Sequence, residues 1–185
     1  MIGETNFNEK STFNMQGYTC YRKDRITDTY GGGVLLLVNN NLPSEEVEIT
    51  TTDLEAVAAK INGTVYVSAY LPPKKIIKNS ELDVIFNSAN SVLIVGDLNA
   101  KHQNWNCQRG NQSGKILNEY MNTKAYVILA TDDPTHFPYN PDHIPSVIDV
   151  ALNKGIKNCY NIETVNELFS DHIPIKITIK NAEIT

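Results

Sequence analysis

"VLIVGDLNAKHQNW", residues 92–105, opens as an unbroken apolar run and closes on a carboxylate, an amide, a lysine and a histidine. A continuous run such as 92–95 reads as a strand covered on both faces, because a strand with one wet face alternates polar and apolar residues. Asp97 and Asn99 follow two apart, where side chains of an extended chain point the same way and can share one target. A carboxylate there can polarise a water or hold a divalent ion. An amide can fix that water's orientation without competing for its proton. Gly-Asp-x-Asn is equally ordinary turn chemistry, so these residues alone leave both readings open.

Working outward, further strands are predicted in "GVLLLVNN" (33–40), "EAVAAKI" (55–61), "TVYVSAY" (64–70), "YVILA" (126–130), "SVIDVAL" (146–152) and "IPIKITI" (173–179). Helices are predicted at "SELDVIFNSAN" (80–90), with Ser80 as N-cap and Leu82, Ile85, Phe86 and Ala89 on one face, and at "SGKILNEYMNTK" (113–124). Both kinds of strand pattern together imply an α+β fold of packed sheets with helices outside. The 185 residues fit a single domain, 1–185, able to bury a core without disulfides. Cys20, Cys107 and Cys159 are odd in number and widely spaced, which points to a reducing, intracellular setting rather than a disulfide framework or a structural zinc site. No apolar run is long enough to cross a bilayer, and "MIGETNFNEK" at the start does not read as a signal peptide. A net charge of -5 means that any phosphodiester substrate needs a metal or a local Lys/Arg cluster to offset repulsion.

Other residues carry chemistry of the same kind. Asp171 and His172 stand directly before an alternating strand; on an extended chain they face opposite ways, Asp171 suiting a metal or hydrogen-bond network and His172 suiting proton transfer or a phosphate oxygen. Asp149 interrupts an apolar strand, where an ionised carboxylate needs a partner, and His172 is the candidate imidazolium. Tyr70 ends a strand before Pro72, with a hydroxyl that could donate to a phosphate. Glu4 is a possible hard-metal ligand. Arg22 and Arg25, beside Tyr18, Tyr21 and Lys23, offer a local phosphate-binding patch, and Lys101 and His102 lie on the loop after Asn99. Trp105 on that loop can as easily cover the core, and His136 in "PTHF" (134–137) is an unpromising metal ligand.

Taken in order, "ET" (4–5), "SAYLPP" (68–73), "GDLNAKH" (96–102), "SVIDVAL" (146–152) and "SDHIPI" (170–175) resemble the endonuclease/exonuclease/phosphatase superfamily, most closely the apurinic/apyrimidinic-like endonuclease domains of non-LTR retrotransposons. "YTCYRKDRITDTYGGGVLLLV" (18–38) and "PTHF" are similar to the same group. The resemblance implies a four-layer sandwich, two mixed sheets face to face with helices outside, and a Mg2+ or Mn2+ site at one rim. It implies that Glu4 binds the metal with Asp171 in its network, that Tyr70 and His172 contact the scissile phosphate, that Asp97 and Asn99 align or activate water, and that Asp149 orients His172. The implied activity is nicking of DNA to leave a 3′-hydroxyl, with a reverse transcriptase domain as partner in the parent element and a nuclear setting where chromosomal DNA is the target. A phosphatase of the same superfamily and a catalytically impaired remnant are the alternatives. The remnant enters because the resemblance also implies a strand bearing an asparagine, a helix and most of a second strand ahead of "ET", where only Met1, Ile2 and Gly3 stand.

Overall fold

In the computed structural model, which describes residues 1–25, 31–157, 160–167 and 170–179, the run ahead of Asp97 lies inside a six-stranded sheet. The chain order is β1 (Ile2–Gly3), β2 (Tyr18–Lys23), β3 (Val34–Asn39), β4 (Ser44–Val47), β5 (Glu55–Ile61), β6 (Thr64–Tyr70), α1 (Asn79–Phe86), β7 (Ser91–Asp97), α2 (Gln112–Lys124), β8 (Val127–Leu129), β9 (Asp149–Lys154), β10 (Tyr160–Thr164) and β11 (Ile175–Ile179). The large sheet has the order β4-β5-β6-β7-β9-β8, with β6 and β7 parallel and every other pair antiparallel. A parallel pair needs a crossover, and α1 supplies it.

Both faces of this sheet are apolar, as the continuous runs require. Ala56 and Ala58 of β5, Val65 and Val67 of β6, and Val92 and Ile94 of β7 pack with Leu82, Ile85 and Phe86 of α1 and Leu117, Tyr120 and Met121 of α2. The intervening residues face the other way. Val57 and Ala59 meet Val34, Leu36 and Val38 of β3, while Leu93 and Val95 meet Ile162, Ile175, Ile177 and Ile179 of β10 and β11. Helices, a six-stranded sheet and a second sheet layer are thus stacked, three of the four expected layers. The outer helix layer over the second sheet is the one that no described residue supplies.

The predicted strands are present, with adjusted ends. β11 starts at Ile175 because Pro174 has no N–H for a ladder. β9 starts at Asp149, since Ser146 pairs instead with His136 in an isolated bridge. Ser80 is not the N-cap of α1: the cap is Lys78, without a side-chain bond, and buried Glu81 in the first turn accepts backbone N–H bonds from Thr52, Asp53 and Leu54. Asn111 caps α2 by accepting from Gly114 N–H at 2.8 Å. Strands β1, β2, β4 and β10 carry too little apolar alternation to be read from sequence; long-range pairing defines them.

The second layer is in two pieces, a sheet of order β1-β3-β2 and the hairpin β10-β11. Residues of β1 and β11 border one cavity of about 680 Å³, floored by Tyr66, Ser68, Leu93 and Val95 of the large sheet. Each of these two strands is paired on one side only among the described residues. Unpaired strand edges are suited to take up one further strand.

Candidate active site

Strand register sets the site. Tyr70 at the C-terminal end of β6 pairs with Asp97 at the C-terminal end of β7, and Asp97 pairs with Asp149 at the start of β9, so three polar residues form a row across the sheet rim. Gly96 permits this closeness: a Cβ there would lie 1.8 Å from the Ala69 carbonyl oxygen. Thr135, fully buried, accepts the backbone N–H groups of Ile148 and Asp149 at 3.1 Å each and so fixes the start of β9.

Opposite the row stands His172. Its Nδ1 is 3.0 Å from Asp149 Oδ2 and its Nε2 is 4.0 Å from Asp97 Oδ2. The hydrogen bond to Asp149, against the opposing effect of burial, raises the His172 pKa to about 9, with the charges of Asp149, Asp97 and Asp171 adding to the rise. Asp97 also departs from an ordinary carboxylate. Burial first, then repulsion from Asp149, carry it up to about 7, although an N–H bond from Asn99 and the His172 charge pull it down. A cation near these groups would favour the ionised form.

Asn99 has φ 44° and completes both readings of "GDLN" at once. Its backbone N–H donates to Asp97 Oδ1 at 2.8 Å, which is a turn, and its amide donates to Asp97 Oδ2 at 3.1 Å and to Leu71 O at 2.9 Å. With Nδ2 so engaged, Oδ1 is the atom left to orient a water. Tyr70 is buried and donates its hydroxyl to Glu4 Oε1; burial and then Glu4 raise its pKa, so it remains a donor. Glu4, Tyr70, Asp97, Asp149, Asp171 and His172 all line the 680 Å³ cavity.

The sequence-predicted binding residues are distributed differently. Arg25 is paired with Glu55 and lies over the Tyr70 ring at 5.7 Å, which makes it a brace for that ring. Arg22 pairs with Asp24 at 3.2 Å. His102 accepts from Asn104 N–H through Nδ1 and leans on Trp105, which is 2% exposed and covers the core. Lys101 lines a second cavity of about 320 Å³ with Arg109, His136 and His143. Residues 26–30 of the segment before the glycines, and Cys159, lie outside the described residues; Cys20 and Cys107 are free thiols.

Two contributors, Thr135 and His136, are legible in the sequence only as guesses beside the cleft. Thr135 has no signal beyond its place in "PTHF". His136 reads as unpromising in the sequence, yet its backbone bridges both Ser146 and His172, and its ring centroid lies 4.7 Å from that of His172. The expectation that Asp171 and His172 face apart assumes an extended strand. They are not in a regular strand, and with His136 they form the one described trio of His, Cys, Asp or Glu whose ligand atoms all lie within 4.8 Å of one another.

Two face-to-face sheets with an acidic, histidine-bearing rim are the endonuclease/exonuclease/phosphatase fold. The endonuclease domain of TRAS1, a telomere-specific non-LTR retrotransposon, superposes with a TM-score of 0.70 over 91% of this chain and 83% of that one at 16% identity. An AP endonuclease from Archaeoglobus fulgidus gives 0.66 over 97% and 87% at 13% identity. Within that fold, residues 64–176 match the family described as endonuclease-reverse transcriptase, and the chain belongs to it. The RNA-directed DNA polymerase from mobile element jockey of Drosophila funebris is 31% identical over 95% of this chain. The chain spans 20% of that relative's length.

Proposed function

We propose that this domain is a divalent-metal-dependent endonuclease that nicks DNA and leaves a 3′-hydroxyl. The observation that carries the reading is the convergence of Tyr70, Asp97, Asn99, Asp149 and His172 from four separate chain segments on one rim. The donor set fits Mg2+ or Mn2+: carboxylate oxygens of Glu4 and Asp97 face one cavity, and like-charge repulsion on Asp97 is what a cation relieves. Glu4 and Asp97 would hold the ion, with Asp171 nearby. When bound, it neutralises charge developing on the phosphate.

The protein groups divide the remaining work. Asp149 keeps His172 as imidazolium near neutral pH, so His172 serves as a cationic donor to a phosphoryl oxygen. Asp97, beside the water that Asn99 Oδ1 would orient, is the group placed to accept that water's proton. Tyr70, whose hydroxyl now donates to Glu4, would be the donor to a second phosphate oxygen. The substrate would be DNA and the parent polypeptide would carry a reverse transcriptase, as the relatives' names suggest. The setting would be intracellular, and nuclear where the target is chromosomal.

Supercoiled plasmid incubated with the chain and Mg2+ or Mn2+ should yield open circles whose ends prime a DNA polymerase. Nicking that persists in Asp97→Ala or His172→Ala, or a chain that never nicks even when extended ahead of Ile2, would reject the reading. One feature favours the second reading, a catalytically impaired remnant: the cavity between β1 and β11, whose strands are paired on one side only among the described residues. Metal-dependent turnover by the 185 residues alone would exclude it.

A further inference from the structure

We propose that His136, Asp171 and His172 form a transition-metal site, distinct in its donors from the Mg2+ position, whose occupancy withdraws His172 from the phosphoryl centre. Two imidazoles and one carboxylate are a borderline donor set, suited to Zn2+ or Co2+, whereas Mg2+ selects oxygen. One ligand atom from each residue lies within 4.8 Å of the others, and His136 Nε2 is 3.8 Å from Asp171 Oδ2, too far for a hydrogen bond. Bonds of about 2.0–2.2 Å call for a tighter cluster, so the ligands must close by roughly an ångström. Asp171 can supply that movement, because among the described residues its carboxylate accepts one hydrogen bond, from Ser170 Oγ at 3.3 Å, and it is one-third exposed.

The imidazoles are prepared for the task. Asp149 occupies Nδ1 of His172, so Nε2 is the nitrogen that would give up its proton to a metal; a carboxylate behind a ligating histidine is the usual orienting arrangement. The backbone of His136 is fixed from both sides by the bridges to Ser146 and His172, so the ring is held over its neighbour without help from a metal. Three protein ligands leave a position for water, and Asp97 Oδ2 lies 4.0 Å from His172 Nε2.

The test is direct binding to the 185-residue chain, with nicking as a separate arm. Calorimetry with Zn2+ should show one saturable site that millimolar Mg2+ does not displace, and Co2+ should give visible d–d absorption. His136→Gln and Asp171→Asn should each weaken Zn2+ by about tenfold or more. The parent chain gives a readout that needs no variant: of its four histidines, Zn2+ should shift the ring signals of His136 and His172 and spare His102 and His143. Absence of saturable binding, shifts confined to His102 or His143, or undiminished affinity in His136→Gln would overturn the site. The inhibitory consequence rests on the nuclease reading. In Mg2+ buffer, Zn2+ should suppress nicking by the parent more than by His136→Gln, and equal suppression would overturn that consequence. Zn2+ binding by a chain that never nicks would leave the site standing and remove the nuclease reading instead.

Discussion

Replacing Asp149 by Asn tests the electrostatic centre of the site. His172 is raised from the ordinary 6.5 to about 9, chiefly by its bond to Asp149. At 1.36 kcal/mol per pKa unit, that rise is ~3 kcal/mol of preference for the imidazolium. The substituted amide keeps an acceptor for Nδ1–H but removes the charge, so burial of His172 is opposed only by the charges of Asp97 and Asp171, and the variant should titrate near the ordinary ~6.5. At pH 8 the imidazolium would fall from nearly all of the population to a few per cent, roughly a 30-fold loss of the form that contacts phosphate. Ring-proton NMR from pH 5 to 10 reads the pKa, and plasmid nicking over the same range reads its consequence. The linkage has a definite sign. Because the folded pKa is raised, the stabilisation is complete below about pH 6.5 and disappears as pH climbs through about 9. Urea melts of the parent should therefore lose stability across that window through this pair, and Asp149→Asn should not. A variant whose His172 still titrates above about 8 would refute the reasoning.

Asp97→Asn should abolish nicking yet stabilise the metal-free protein above about pH 7. The parent carboxyl, raised to about 7 by burial and Asp149, loses up to ~4 kcal/mol of native stability as pH rises from about 4 to about 7; identical pH–stability curves in urea would contradict this. Gly96→Ala should cost several kcal/mol and disturb the rim, because its Cβ meets the Ala69 carbonyl oxygen at 1.8 Å; a parent-like melting temperature would show that β6 and β7 can separate. A strand of alternating apolar residues joined ahead of Ile2 should enter the cavity between β1 and β11 and add ~2–4 kcal/mol, with two or three side chains buried at about 1.5–3 kcal/mol each before the entropy of ordering is subtracted. An extension that stays protease-sensitive at an unchanged melting temperature would refute that fit.

The sequence by itself determined the pieces. Uninterrupted runs such as 92–95 required a sheet covered on both faces, and the structure covers it with helices on one side and β3, β10 and β11 on the other. Asp97, Asn99, Tyr70 and His172 were legible because polar groups at the ends of apolar strands have no packing reason to be there. Tertiary structure alone decided which of these groups meet. Asp149 and His172 are 23 positions apart and are joined by a 3.0 Å bond that no local pattern encodes. Arg25 looks like a free phosphate ligand in the sequence, but Glu55, thirty positions on, claims its guanidinium. His136 reads as idle because its partners, Ser146 and His172, arrive from two different segments. Local sequence specifies side-chain chemistry and strand period; pKa values and shared ligands depend on through-space distance, which is set by strand register.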